Sequence, residues 1–208
     1  MPHASPEASP DTVANGSGRR ERIGILGGTF DPVHVGHLMD ASAAHYQLQL
    51  DRVMVVVARD PWQKRDRVVA PAEVRYEMVV AALGDVEGLE ASRIELERDG
   101  PTYTIDTVEH LEAPDRELFL VVGSDVAAGM ATWHRVDDLR SRVTLAVVDR
   151  DATPFPDPPG WRVARVTVPR LELSSTDLRG RVAAGEPIDF LVPVAAARIL
   201  AAHGLYRS

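Results

Sequence analysis

Buried strands alternate with amphipathic helices along most of this sequence, and that alternation is the feature that most constrains its fold. Nearly continuous apolar runs, such as RVMVVVA at 52–58 and ELFLVVG at 117–123, predict strands buried on both faces of a parallel sheet. Segments between them, such as PAEVRYEMVVAAL at 71–83, repeat apolar residues at helical spacing. The pattern predicts an α/β fold with a doubly wound, mostly parallel sheet and right-handed crossovers. Ligands of such sheets bind beyond the carboxyl ends of the strands.

The alternation begins after an opening segment, 1–20, that is rich in Pro, Ala, Ser and Gly and is predicted to be a disordered tail. A single domain is predicted over 21–208, with a proline-rich surface loop at 150–160. The predicted strands cover 22–28, 52–58, 89–97, 117–123, 142–149 and 161–169, and the predicted helices cover 34–50, 71–83, 103–112, 174–185 and 192–204.

Composition excludes several classes of function. The net charge is -8 with no basic block, so nucleic acid is not an expected partner. The absence of cysteine excludes disulfides and thiolate metal sites. No apolar run reaches the roughly 18 residues that span a membrane, and the opening segment lacks the apolar core of a secretory signal. The expected location is therefore the cytoplasm, with no membrane partner, and self-association is left open.

A glycine turn and two histidines stand where the first predicted strand meets the first predicted helix, in GGTFDPVHVGH. Gly27 and Gly28 permit a tight turn, with positive φ if the turn needs it, that a ligand can approach closely. The start of the helix near His34 offers N–H groups and the positive end of its dipole to an anion. His34 and His37 are three residues apart and project from one side of the first turn, with Gly36 between them leaving room for a phosphate. This stretch predicts a phosphate site.

Other interpretations of these residues were weighed. Residue 26 is leucine where the dinucleotide fingerprint needs glycine, and no glycine precedes Lys64 as a Walker loop requires. A zinc site would need a third ligand, for which Asp31 is the only nearby acid, and two purely structural histidines are the other alternative. Lys64 is the one lysine among 23 basic residues. Either this position has a function that needs lysine, or the lysine remains there by chance.

The segment LELSSTDLRGR holds a second candidate site for phosphates. Ser174, Ser175 and Thr176 are typical of a helix N-terminus, and Arg179 follows on the same end of that helix. Hydroxyls, free N–H groups and an arginine together suit a polyphosphate. Taken alone, the segment would be an ordinary helix cap with a solvated arginine.

These two stretches resemble the signatures of a known superfamily. GGTFDPVHVGH is similar to the (H/T)xGH signature of the nucleotidylyltransferases, and LELSSTDLRGR is similar to their ISSTxxR signature. Within the superfamily, YTIDT, LVVGSDVAAGMATWHRVDDL and FLVPVAAARILAAHGLY resemble the nicotinate mononucleotide adenylyltransferases. The resemblance covers about residues 22–206. One departure is ARDPWQKRD, where Gln63 precedes Lys64 and the family often has histidine.

The resemblance implies a Rossmann-like nucleotidylyltransferase fold of the HUP type and a reaction in which nicotinate mononucleotide attacks the α-phosphorus of ATP, releasing pyrophosphate. Magnesium is implied as a cofactor that travels with ATP, with no metal ligand supplied by the protein. The implied catalytic residues are His34, His37, Lys64 and Arg179. The implied ATP-binding residues are Gly27, Gly28, Thr29, Phe30, Gly36, Gly123, Asp125, Ser174, Ser175 and Thr176, and the implied mononucleotide-binding residues are Thr104, Asp106 and Trp133.

Three rival functions remain at this point. The acceptor could be phosphopantetheine or nicotinamide mononucleotide, on the same fold. A sensor could keep the nucleotide pocket without doing chemistry, although His34, His37, Lys64 and Arg179 are all present. A nicotinamide-dependent dehydrogenase is disfavoured because the dinucleotide fingerprint is missing.

Overall fold

A computed structural model describes residues 18–60, 70–150 and 156–207. Its strands are β1 (Glu21–Gly28), β2 (Arg52–Val57), β3 (Leu89–Ser92), β4 (Arg116–Gly123), β5 (Val143–Asp149) and β6 (Val163–Thr167). Its helices are α1 (Val35–Gln47), α2 (Ala72–Leu83), α3 (Thr104–Leu111), α4 (Ser124–Gly129), α5 (Val136–Arg142), α6 (Ser175–Ala183) and α7 (Val194–Ala202), with a 3₁₀ turn at Met130–Thr132.

The six strands form one parallel sheet in the order β3-β2-β1-β4-β5-β6. β1 lies at the centre, where Ile25 is opposite Met54 of β2 on one side and Leu120 of β4 on the other. The chain winds outward to β3 and then returns to place β4 on the other side of β1. This reversal opens a crevice at the carboxyl ends of β1 and β4, which is where such sheets bind ligands. The predicted fold class is confirmed.

Two hydrophobic cores cover the two faces of the sheet. On one face, α1, α2, α6 and α7 pack through residues such as Ala41, Val79 and Leu200. On the other face, α3 and α5 pack through residues such as Ile105 and Leu139. Neighbouring residues of each strand face opposite cores because strand side chains alternate, which explains the continuous apolar runs in the sequence.

The predicted strand at 89–97 was too long. β3 ends at Ser92, and the N–H groups of Leu96 and Glu97 then donate to the carbonyl of Arg93 in a tight turn. Leu96 is buried by that turn, so the apolar alternation beyond Ser92 reflects packing of a turn rather than a continued strand.

Two predictions concern residues that lie wholly or partly outside the described ranges. Residues 1–17 of the predicted tail are outside them, and Arg19, just ahead of β1, forms an ion pair with Asp51 at 2.5 Å. The predicted loop at 150–160 is described only at residue 150 and over 156–160. Within the described ranges, the helices are all too short or too polar to cross a membrane.

Candidate active site

A cavity of about 470 Å³ lies at the carboxyl edge of the sheet, between the starts of α1, α3, α4 and α6. Gly36 and Asp106, both predicted site residues, do not line it, and Lys64 lies outside the described residues. The other predicted site residues all line it: Gly27, Gly28, Thr29, Phe30, His34, His37, Thr104, Gly123, Asp125, Trp133, Ser174, Ser175, Thr176 and Arg179.

The two histidines form a stacked pair at the start of α1. Their ring centroids are 3.7 Å apart, and Phe30 packs edge-on against His37 at 4.9 Å. The backbone N–H of His34, the residue that caps the helix, donates to Nδ1 of His37 at 3.2 Å. Since Nδ1 accepts this bond, neutral His37 carries its ring hydrogen on Nε2. His37 lines the cavity, and in its neutral form the hydrogen-bond donor of its ring is Nε2.

His34 is held in its neutral form. Burial, followed by the positive charge of Arg150, lowers its pKa from 6.5 to about 4. A neutral ring can stack on its neighbour without charge repulsion. The His34 side chain faces the backbone N–H of His37 in a capping box at the start of α1, and its Nδ1 atom is buried.

The glycines of this turn act differently from the prediction. The positive φ of the turn, 51°, belongs to Phe30 and not to Gly27 or Gly28. A Cβ on Gly28 would lie 2.7 Å from the Phe30 ring, and a Cβ on Gly36 would lie 3.1 Å from the His34 ring. Gly36 therefore makes room for the imidazole of His34, where the sequence predicted room for a phosphate.

The second motif joins the first one directly. Ser174 caps α6, accepting a hydrogen bond from the backbone N–H of Asp177 at 3.1 Å. Ser175 Oγ donates to the carbonyl of Pro32 at 2.9 Å. Arg179 donates through Nη1 to the carbonyl of Asp31 at 2.8 Å and through Nη2 to Thr176 Oγ1 at 3.2 Å. These bonds place the starts of α1 and α6 on the same side of one cavity.

Behind this junction lies a buried polar cluster that the sequence did not predict. The Asp31 carboxylate, which is 2% exposed, accepts hydrogen bonds from Tyr206 Oη at 2.6 Å and from the N–H of Ala70 at 3.2 Å. Arg75, also fully buried, donates to the carbonyls of Thr29, Arg59 and Ala70. Burial raises the pKa of Tyr206, with the hydrogen bond to Asp31 as the next cause. These hydrogen bonds fix the loop between β1 and α1, which carries Thr29 and Asp31.

The opposite end of the cavity is aromatic. Tyr103 and His134 have ring centroids 4.3 Å apart, and Trp133 lines the cavity while also packing on the core below α3 and α5. Trp133 therefore packs on the core and also lines the cavity, and its role in binding a ligand stays a prediction. Thr104 begins α3 at this end. Asp106 stands in the first turn of α3, outside the lining.

The described residues contain no group of three or more His, Cys, Asp or Glu side chains that could hold a metal ion. Asp31 is the residue that the sequence offered as a third zinc ligand. Its carboxylate instead accepts hydrogen bonds from Tyr206 Oη and from the N–H of Ala70. A magnesium ion that travels with ATP would need no such group of side chains.

The starts of α1 and α6 bring two histidines and an arginine to one cavity at the carboxyl edge of a parallel sheet, and together with the family match this places the chain among the nucleotidyltransferases. A family model described as cytidylyltransferase-like matches residues 25–181.

Related proteins show which family of nucleotidyltransferases this chain belongs to. The chain is 41% identical over 201 residues to a protein of Acidothermus cellulolyticus, covering 92% of this chain and 97% of the relative. It is 44% identical over 186 residues to one of Streptomyces coelicolor, covering 88% and 99%. Both carry the name "Probable nicotinate-nucleotide adenylyltransferase". The chain belongs to the nicotinate-nucleotide adenylyltransferase family, as the motifs indicated.

A solved structure supports the fold. The nicotinic acid mononucleotide adenylyltransferase of Plasmodium falciparum, complexed with NaAD, superposes with a TM-score of 0.74. The match covers 89% of this chain and 97% of that one at 18% sequence identity.

Proposed function

We propose that this protein transfers the adenylyl group of ATP to nicotinate mononucleotide, giving nicotinic acid adenine dinucleotide and pyrophosphate. The observation that carries the proposal is the direct contact between the two phosphate-binding motifs, through Ser175 to Pro32 and Arg179 to Asp31. This junction forms one cradle beside an aromatic end. The names of the relatives support the same acceptor and donor.

The phosphate cradle would act by positioning and by neutralising charge. A phosphate monoester is already a nucleophile near neutral pH, so the acceptor needs little help from a general base. His37 donates from Nε2 toward the α-phosphate, where negative charge develops in the transition state. Arg179 and the N–H groups at the start of α6 hold the β- and γ-phosphates.

The aromatic end would take the pyridine ring. Trp133 offers a flat face to the electron-poor ring, beside the Tyr103–His134 pair. Thr104, which begins α3, lines this end of the cavity, and the first turn of a helix favours a ring that carries a carboxylate. The helix start favours nicotinate over the uncharged nicotinamide. Asp125, in the first turn of α4, would accept hydrogen bonds from ribose hydroxyls.

Several parts of the proposal rest on the sequence alone. Lys64 would follow the transferring phosphate as a mobile charge. Magnesium, brought with ATP, would supply positive charge that lowers the repulsion between the phosphates and the attacking phosphate. A cytoplasmic location and self-association also stay predictions.

The first experiment is to follow pyrophosphate release from Mg-ATP with nicotinate mononucleotide or nicotinamide mononucleotide, in separate reactions. Release that is fast only with nicotinate mononucleotide is expected. Release with neither would contradict the proposal and make phosphopantetheine the next acceptor to test, and tight ATP binding without release from any acceptor would indicate a sensor. The variant His37→Ala should keep its fold and lose about 10²–10³ in turnover. The exposed His110→Ala is the matched control.

A further inference from the structure

The cavity has a third region that neither motif explains. Asp40 lies on α1 one turn beyond His37, and Arg150 follows the end of β5. Both line the cavity, and Arg150 Nη2 donates to Asp40 Oδ2 at 2.5 Å. Because His34, His37 and Asp40 are spaced three residues apart, they follow one face of α1 from the phosphate cradle into this region.

Asp40 carries an unused hydrogen-bond acceptor. The residue is only 4% exposed, and its Oδ1 atom is buried without a hydrogen bond from any residue of the described ranges. Burial raises the pKa of Asp40, while Arg150 lowers it. A buried carboxylate oxygen without a donor is unfavourable. A ligand that supplied an N–H group here would remove that cost.

The position of this acceptor indicates which part of a nucleotide it meets. Under the proposed function, the phosphates occupy the cradle between α1 and α6, and the pyridine ring occupies the aromatic end on the side of α3. The adenosine then extends past Asp125 into the region of Asp40 and Arg150, which line the same cavity. The adenine base has one N–H donor group in its nucleotide, the 6-amino group, because its ring nitrogens are acceptors or are bonded to ribose.

We propose that Asp40 determines the base specificity of the enzyme, with Oδ1 accepting a hydrogen bond from the 6-amino group of adenine. Arg150 holds the other carboxylate oxygen and so fixes the direction of Oδ1. A base with a carbonyl at that position would place two acceptors against each other. The inference rests on the proposed function for the placement of ATP in the cavity.

The test compares ATP with purine riboside 5′-triphosphate, which lacks only the 6-amino group, by calorimetric titration of the full chain with magnesium present. The unmodified protein is expected to bind ATP at least about tenfold more tightly, because a site with a buried acceptor rejects a ligand that leaves it unpaired. In Asp40→Asn the preference should largely disappear. The matched control is Asp137→Asn, which removes an 86% exposed carboxylate that also pairs with an arginine, and it should keep the preference.

Two results would overturn the assignment. One is equal affinity of the unmodified protein for the two triphosphates, which needs no variant and decides the matter even if Asp40→Asn fails to fold. The other is an Asp40→Asn variant that loses affinity for both triphosphates equally, because Asp40 would then act only through Arg150. Preferential binding of ATP without pyrophosphate release would contradict the proposed function and leave the role of Asp40 supported, whereas no binding of ATP would overturn both.

Discussion

His34 is a buried base whose charge state is set by the fold. The unfolded chain takes up a proton on this histidine as pH falls below about 6.5, whereas the folded chain resists until about pH 4. Protonation therefore favours the unfolded state, and the stability that the neutral ring contributes is lost as pH falls through this window. The residue thus couples the phosphate cradle to pH.

The expected loss is about 3 kcal/mol between pH 7 and pH 4, from a pKa difference of this size. Urea unfolding at several pH values measures it as the difference between the unmodified protein and His34→Gln, which cannot titrate. His110→Gln, an exposed change on α3, should follow the unmodified protein. Parallel pH profiles for His34→Gln and the unmodified protein would contradict the lowered pKa.

The residues of the site divide by how local their signal is in sequence. His34 and His37 stand in a short motif at a helix start, so residue type and spacing predicted that they face a ligand site. For Ser174 and Arg179, which also line the cavity, the resemblance was needed as well. Asp40 meets a partner 110 residues away, and no periodicity relates the two positions. The same holds for the contact of Gly36 with the His34 ring, which depends on a rotamer rather than on spacing.

At the scale of elements, α6 contributes to the site through its attachment to the loop before α1. Arg179 spans two acceptors, the carbonyl of Asp31 and the hydroxyl of Thr176, with its planar fork. A lysine has a single ammonium group and cannot hold both in this geometry. The orientation of α6 over the phosphates should therefore depend on arginine itself and not only on positive charge.

Arg179→Lys is expected to lower kcat/KM for ATP about tenfold or more, the range for losing one charge-assisted hydrogen bond. Steady-state pyrophosphate release at varied ATP measures this. Arg181→Lys on the same helix is the control, because Arg181 bonds to Pro187 and Glu186 away from the cavity. An Arg179→Lys enzyme with unchanged kcat/KM would show that charge alone is enough.

Most elements could be predicted because burial on both faces leaves a continuous apolar run in each central strand. The end of β3 could not be predicted. An apolar residue such as Leu96 can be buried in a continued strand or in the turn that follows Ser92, and the sequence does not distinguish the two. The strand order could not be read from periodicity either. It depends on which strands pair with β1, and the resemblance supplied that information only as a family fold.

At the scale of the whole molecule, the segment after α7 is tied to the loop between β1 and α1. Tyr206 donates a hydrogen bond to the Asp31 carboxylate across 175 residues of sequence. The same buried carboxylate also accepts a hydrogen bond from the N–H of Ala70. The same Asp31 offers its carbonyl to Arg179. The closing segment after α7 is thus joined to the loop between β1 and α1, on which the phosphate cradle is built.

Tyr206→Phe should keep the aromatic packing and remove this one donor. The free energy of unfolding is expected to fall by about 1–3 kcal/mol, the cost of withdrawing a partner from a buried polar group. For a chain of this size, the melting temperature falls by about 2–4 °C for each kcal/mol. Thermal unfolding followed by circular dichroism measures the change, with Tyr46→Phe as the control because Tyr46 is 83% exposed. If both variants melted with the unmodified protein, the hydrogen bond to Asp31 would contribute nothing to the fold, and the C-terminal segment would be held by its apolar contacts alone.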